Sequence, residues 1–176
     1  DYMLKTIDDD NVRLSLLMNY LDGIKGTVFR QTQFAEFELA MHNKAEAGEP
    51  LTGDSLTELY GEIVRRYYGH DEGVCQIYDL YCMEWTYVPH FYYNFYVYQY
   101  STSFTASTAM SESILAGEEG AIDKTMAFLS AGGSDYPVPV LKKAGVDLLG
   151  NDPFDRSMRV MNRVMDQIEE ILDRRQ

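Results

Sequence analysis

The 176 residues are enough for one domain with a substantial core, and a 45% hydrophobic and 13% aromatic content excludes a disordered chain. Fifteen Lys and Arg against 28 Asp and Glu leave a net charge of −13, which sets the surface against phosphate backbones and anionic lipid. Neither a nucleic acid nor a membrane is therefore expected as a partner.

The most apolar-looking stretch, Val88–Met110, is interrupted by His90, Asn94, Gln99 and many Ser and Thr, and does not read as a membrane span. The start, Asp1-Tyr2-Met3-Leu4-Lys5, has no basic lead into an apolar run, so no secretory signal is expected. Cys75 and Cys82 fit neither a disulfide framework nor a CxxC knuckle. Reduced structural thiols and a cytoplasmic setting follow as expectations. The chain also begins without Met, inside what reads as the end of a helix, so it is expected to be a piece of something longer.

From Asn11 to about Glu46, Leu14, Leu17, Leu21, Ile24, Val28, Phe34, Phe37 and Met41 recur mostly at three- and four-residue steps. That spacing predicts a helix, with Gly23 and Gly26 as soft spots. Gly48 and Pro50 end it, and Ser55-x-x-Glu58 reads as a capping box opening a second helix that runs to Tyr68 and stops at Gly69. Residues Gly69–Gln76 read as a loop, and Ile77–Val88 as a short segment of undecided type. Pro89 suits the first position of a helix, because its φ is already fixed there and it has no N–H to leave unpaired. The Tyr, Phe, Thr and Val that follow favour strand, but the length and the Ala/Ser/Met-rich second half predict a helix over Pro89–Ala116. Two shorter helices are predicted near Ala121–Ser130 and Pro137–Ala144. In the last, Asp152 caps, Pro153 starts, and Phe154, Met158, Met161, Met165, Ile168 and Leu172 form an apolar seam expected to pack within the same protein. The fold class expected is all-α.

Three histidines bound the metal question. His42 follows Glu38 by four, which puts two ligand types on one helical face with no third partner in view. His70, beside Asp71 in a Gly-flanked loop, is expected to be solvated. There is no H-E-x-x-H and no E-x-x-H pair, so no self-contained metal site is expected. His90 lies in the run His90-Phe91-Tyr92-Tyr93-Asn94-Phe95-Tyr96-Val97-Tyr98-Gln99-Tyr100. On a continuous helix at 100° per residue, His90, Tyr93, Tyr96 and Tyr100 would share one flank of roughly 120°. Such a face is either a concentrated set of hydrogen-bond donors or a core face whose hydroxyls are satisfied locally.

That run, together with Phe29-Arg30-Gln31-Thr32-Gln33-Phe34-Ala35-Glu36-Phe37-Glu38, Ser130-Ala131-Gly132-Gly133-Ser134-Asp135-Tyr136-Pro137 and Lys142-Lys143-Ala144-Gly145-Val146-Asp147, resembles oligoendopeptidase F. This is a bacterial branch of the thimet-oligopeptidase-like zinc peptidases, and the likeness covers essentially the whole chain. The resemblance implies a zinc-dependent endopeptidase of short oligopeptides, built as a larger helical protein around a deep substrate channel. It makes residues 1–176 the C-terminal helical portion of the catalytic domain. In that family two His of an H-E-x-x-H helix and a later Glu hold the zinc, and the Glu within the motif is the general base. This sequence has neither element, so the cofactor is expected outside it, the N-terminal part of the same peptidase becomes its implied partner, and the isolated chain is expected to be inactive.

What the chain carries resembles the other half of such a site: a His and Tyr residues that hydrogen-bond the scissile carbonyl as it becomes an oxyanion. His90 matches most directly. The Y-x-x-Y spacing selects Tyr93 and Tyr96, whereas the following Y-x-Y pattern selects Tyr98; thimet relatives carry a glycine-rich insertion here that this sequence lacks. Tyr93 and Tyr96 are preferred because they share the flank with His90, leaving Tyr98 and Tyr100 as substrate-binding candidates. For Arg30, Gln31 and Glu36, channel-lining and buried salt-bridge roles are equally open, and Glu84-Trp85 is expected to order the loop presenting His90. The competing function is a non-catalytic helical module that binds peptides or a partner helix.

Overall fold

A computed structural model describes residues 2–175, with side chains from residue 3 onward, and among these residues it contains helices and turns but no strand. The chain divides into two compact units, one from residues up to Gly26 together with Thr102 onward, the other Thr27–Ser101. None of its helices, among the described residues, is long and apolar enough to cross a membrane.

In the first unit, a short α1 (Tyr2–Thr6) precedes α2 (Asp10–Ile24), which is capped by Asp9 accepting from the Asn11 backbone N–H at 2.7 Å. Leu14 and Leu17 of α2 pack against Val160, Val164, Ile168 and Ile171 of α8 (Asp152–Asp173). The buried stripe of α8 is thus not the expected one. Of the predicted seam only Ile168 is buried; Phe154, Met158 and Met161 are half-buried, and Met165 and Leu172 are exposed. The two stripes run side by side, and burying β-branched Val and Ile forfeits less rotamer entropy than burying Met. The start of α8 also differs from expectation: Asn151 occupies the cap position without a side-chain bond, and Asp152 accepts from Arg156 Nε at 2.9 Å. A smaller cluster joins Ala106 and Ala109 of α5 (Tyr98–Leu115) to Val146, beside α6 (Ala121–Ala131) and α7 (Pro137–Lys143).

The helix expected over 11–46 is interrupted at its soft spot. Lys25–Phe29, which includes Gly26, forms a π-helical turn, and α3 (Arg30–Glu46) follows. In the second unit α3 packs on α4 (Gly53–Tyr67), and a 3₁₀ stretch, Asp79–Tyr87, resolves the segment left undecided. Their core is Phe34, Phe37, Leu56, Tyr60, Ile63, Val64, Ile77, Cys82 and Val97. The box that opens α4 lies three residues earlier than expected: Thr52 caps, accepting from the Ser55 N–H at 3.2 Å, while Ser55 Oγ accepts from the Thr52 N–H at 3.1 Å. Gly69, at φ +61°, ends the helix in the left-handed conformation as predicted. His70 is not solvated as expected. It is half-buried, and its Nδ1 accepts the Ile77 N–H at 2.9 Å, bracing the loop between α4 and the 3₁₀ stretch. Cys82 is buried and Cys75 exposed, and both are free.

The largest departure concerns Pro89–Ala116. Pro89 does open a helix, but a single 3₁₀ turn, Pro89–Tyr92; the chain then bends and α5 begins only at Tyr98. Phe91 packs on the core and Val97 is fully buried in it. On a regular helix the two side chains would point about 120° apart; instead the backbone unwinds between them, and both pack on the same core. It does so through two successive left-handed non-glycine residues, Asn94 at φ 49° and Phe95 at φ 61°.

Candidate functional site

The unwound turn gathers the aromatic polar residues that a continuous helix was expected to align. Anchored by Phe91 and Val97, it leaves Tyr92, Tyr93, Tyr96 and Tyr100 exposed around a half-buried His90. The Tyr96 ring stacks on the His90 imidazole with centroids 5.7 Å apart and planes 9° from parallel. Tyr93 and Tyr100 stand edge-on to the same imidazole at 6.0 and 5.7 Å. Tyr96 also meets Tyr93 at 6.0 Å and Tyr100 at 5.4 Å. The Tyr100 hydroxyl lies 3.3 Å from His90 Nε2, and its hydrogen bond with Tyr96 holds it above the ordinary phenol range. Tyr98 is half exposed on the first turn of α5.

The turn is strained, and the strain is met from α3. Left-handed backbone costs an ordinary residue about 1–2 kcal/mol, less for Asn, whose short side chain tolerates it. Glu38, 1% exposed on α3, accepts the Phe95 backbone N–H at 2.8 Å, and the His42 ring lies 4.4 Å from the Phe95 ring. The E-x-x-x-H pair considered as metal ligands is therefore engaged with this turn. Sequence analysis missed that role. The available signal was Asn94, a turn-forming residue inside a run otherwise written for a helix.

The segment leading into His90 is held by a polar network. Glu84 accepts from Arg30 on one oxygen and from the Tyr60 hydroxyl at 2.6 Å on the other, and Gln33 Nε2 donates to Tyr60 at 2.9 Å. Burial, reinforced by Glu84, pushes the Tyr60 phenol far above its ordinary value, so it is a donor at any physiological pH. Trp85 Nε1 donates to Thr57 Oγ1 at 3.2 Å. Arg30 also lies over the Phe34 ring at 4.9 Å, while Glu36 pairs with Arg66 and accepts from the Tyr67 hydroxyl at 2.9 Å. Arg30 thus forms a partly buried ion pair, whereas that of Glu36 is exposed and not the buried bridge considered from the sequence. Among the described residues no three His, Cys, Asp or Glu side chains converge as a metal site would require, so this chain does not fit the zinc that the resemblance implies.

A family model described as peptidase family M3 matches residues 3–160. The chain belongs to that family. Among M3 relatives it is similar to oligopeptidase PepF of Bacillus subtilis, 44% identical over 98% of this chain, and to group B oligopeptidase PepB of Streptococcus agalactiae, 42% identical over 97% of it. It spans only 25% and 28% of those proteins. A crystal structure of oligoendopeptidase-F from Enterococcus faecium superposes with a TM-score of 0.93 at 46% identity, covering 98% of this chain and 33% of that one. The all-helical architecture is thus that of a segment of a larger M3 peptidase.

Proposed function

We propose that this chain is the C-terminal helical portion of a zinc-dependent oligoendopeptidase, and that His90, Tyr93 and Tyr96 donate hydrogen bonds to the carbonyl oxygen of the peptide bond being cut. Tyr98 and Tyr100 would contact the oligopeptide on either side. The observation that carries this reading is the packing of one imidazole and three phenols around a single exposed turn, in a family of peptidases.

Addition to a peptide carbonyl converts its oxygen into an oxyanion. Donors already aimed at that position act mainly in the transition state and need no reorganisation when the charge forms. The stacked His90–Tyr96 pair and the edge-on Tyr93 and Tyr100 restrict one another's rotation, so their N–H and O–H groups are preorganised. The zinc belongs to the remainder of the enzyme, which is this chain's partner, and no role for its own residues depends on touching the metal.

The test is steady-state cleavage of a short quenched peptide by the full-length peptidase. His90→Ala is expected to lower kcat by about 100- to 1,000-fold with KM little changed. Wild-type kcat in that variant would refute the donor role.

A further inference from the structure

We infer that Glu38 is a positioning residue for this site: its buried carboxylate clamps the left-handed Asn94–Phe95 turn and thereby holds Tyr96 against His90. The inference rests on the donor reading of His90, Tyr93 and Tyr96.

Glu38 points into the second unit from α3 and is 1% exposed, a costly place for a carboxylate unless its oxygens are bonded. One of them receives the Phe95 N–H at 2.8 Å, a charge-assisted bond stronger than one to a neutral acceptor. The bond falls on the residue whose φ of 61° is least natural for its type, since Phe, unlike Asn94, has no local side-chain bond to offer in that conformation. His42, one helical turn beyond Glu38, adds its ring against Phe95 at 4.4 Å. Two groups on one face of a rigid helix thus seize one strained residue.

What the clamp controls is orientation. Phe91 and Val97 are fixed in the core at either end of the turn, so relaxation of Phe95 cannot spread outward and must be absorbed by residues 92–96. Tyr96 is the next residue along, and its 9° stacking on His90 is the geometry most directly exposed to a change at Phe95. A positioning error of this kind lowers the rate without removing any group that contacts the substrate.

The experiment compares Glu38→Ala, Glu38→Gln and His90→Ala in the full-length peptidase, reading kcat and KM together with hydrogen exchange across residues 93–97. Glu38→Ala is expected to lose about 10- to 100-fold in kcat with KM nearly unchanged, and to accelerate exchange at the Phe95 amide. Glu38→Gln keeps a carbonyl acceptor and is expected to show a smaller loss and a smaller acceleration. Adding Phe95→Gly to Glu38→Ala should restore part of kcat, because glycine adopts positive φ without a clamp. If Glu38→Ala keeps wild-type kcat, or only its melting temperature falls, the positioning role is overturned. If that variant does not fold, unchanged kcat and exchange in Glu38→Gln overturn it equally. A His90→Ala enzyme with full activity would instead overturn the donor reading itself, and the positioning role with it.

Discussion

The imidazole of His90 and the phenol of Tyr96 lie nearly parallel and offset, 9° between planes and 5.7 Å between centroids, although a break in the backbone separates them. The stacking is the product of that break. Phe91 and Val97 demand burial six residues apart, and the left-handed pair Asn94–Phe95 folds the intervening chain back so that Tyr96 returns over His90.

Loss of single donors should separate the tyrosines. Tyr96→Phe and Tyr93→Phe delete only a hydroxyl, so folding should survive while kcat falls by about 100- to 1,000-fold, equivalent to about 2.7–4 kcal/mol. Tyr98→Phe, on the substrate-binding reading, is expected to raise KM more than it lowers kcat. Steady-state kinetics of the three variants checks this, and a collapse of kcat confined to Tyr98→Phe would transfer the donor role to that residue.

Helical period and chain punctuation carried most of the fold. The three- and four-residue steps through Leu14 to Met41, Gly69 as a stop and Pro89 as a start all correspond to features of the structure. The departures share one cause, which is that tertiary packing chose between alternatives local pattern leaves nearly equal. Val160 and Val164 won the inner face of α8 over Met161 and Met165, and the helix expected through Asn94 gives way to a turn whose two ends, Phe91 and Val97, pack on one core. The grouping of His90 with Tyr93, Tyr96 and Tyr100 was anticipated from a regular helix, a geometry the chain does not adopt. Glu38 was visible only as a possible ligand, because nothing local to α3 marks a bond to a residue 57 positions away.

The two faces of α8 should differ sharply in cost. Ile171 is 1% exposed against α2, so Ile171→Ala is expected to destabilise by about 2–5 kcal/mol through lost transfer energy and the cavity left behind. Met165→Ala, on the exposed face, should change stability by no more than about 0.5 kcal/mol. Denaturant titration of both variants decides it. A larger cost for Met165→Ala would mean that the Met face is the packed one.

Gly61 marks a close approach between α4 and the following 3₁₀ stretch. A Cβ there would meet Cys82 Sγ at 3.0 Å and Cys82 Cβ at 3.3 Å. Ala is the better helix former by about 0.8–1.0 kcal/mol, but overpacking against a buried neighbour costs about 1–3 kcal/mol. Gly61→Ala is therefore expected to lower stability, and the loss should shrink when Cys82→Ala removes the sulfur. Thermal melts of the single and double variants measure that coupling, and additive effects would contradict the contact.

The acid limb of stability offers a test in the first unit. Arg163 holds Glu112 bidentately, at 2.8 and 3.1 Å, and its hydrogen bonds keep the carboxyl below its ordinary value of 4.5, outweighing the opposing effect of partial burial. A carboxylate whose pKa is lower folded than unfolded stabilises the protein fully above the unfolded value. The contribution then disappears as pH falls through the folded value. The pair's contribution should thus be full and constant between pH 6 and 8 and fade below about 4.5. Both side chains are partly exposed, so the contribution is expected to stay under about 1 kcal/mol and to weaken in salt. Glu112→Gln should lose this increment near neutrality and show a correspondingly shallower decline between pH 5 and 3. Parallel pH curves for the variant and the parent would show that the pair contributes nothing to folding.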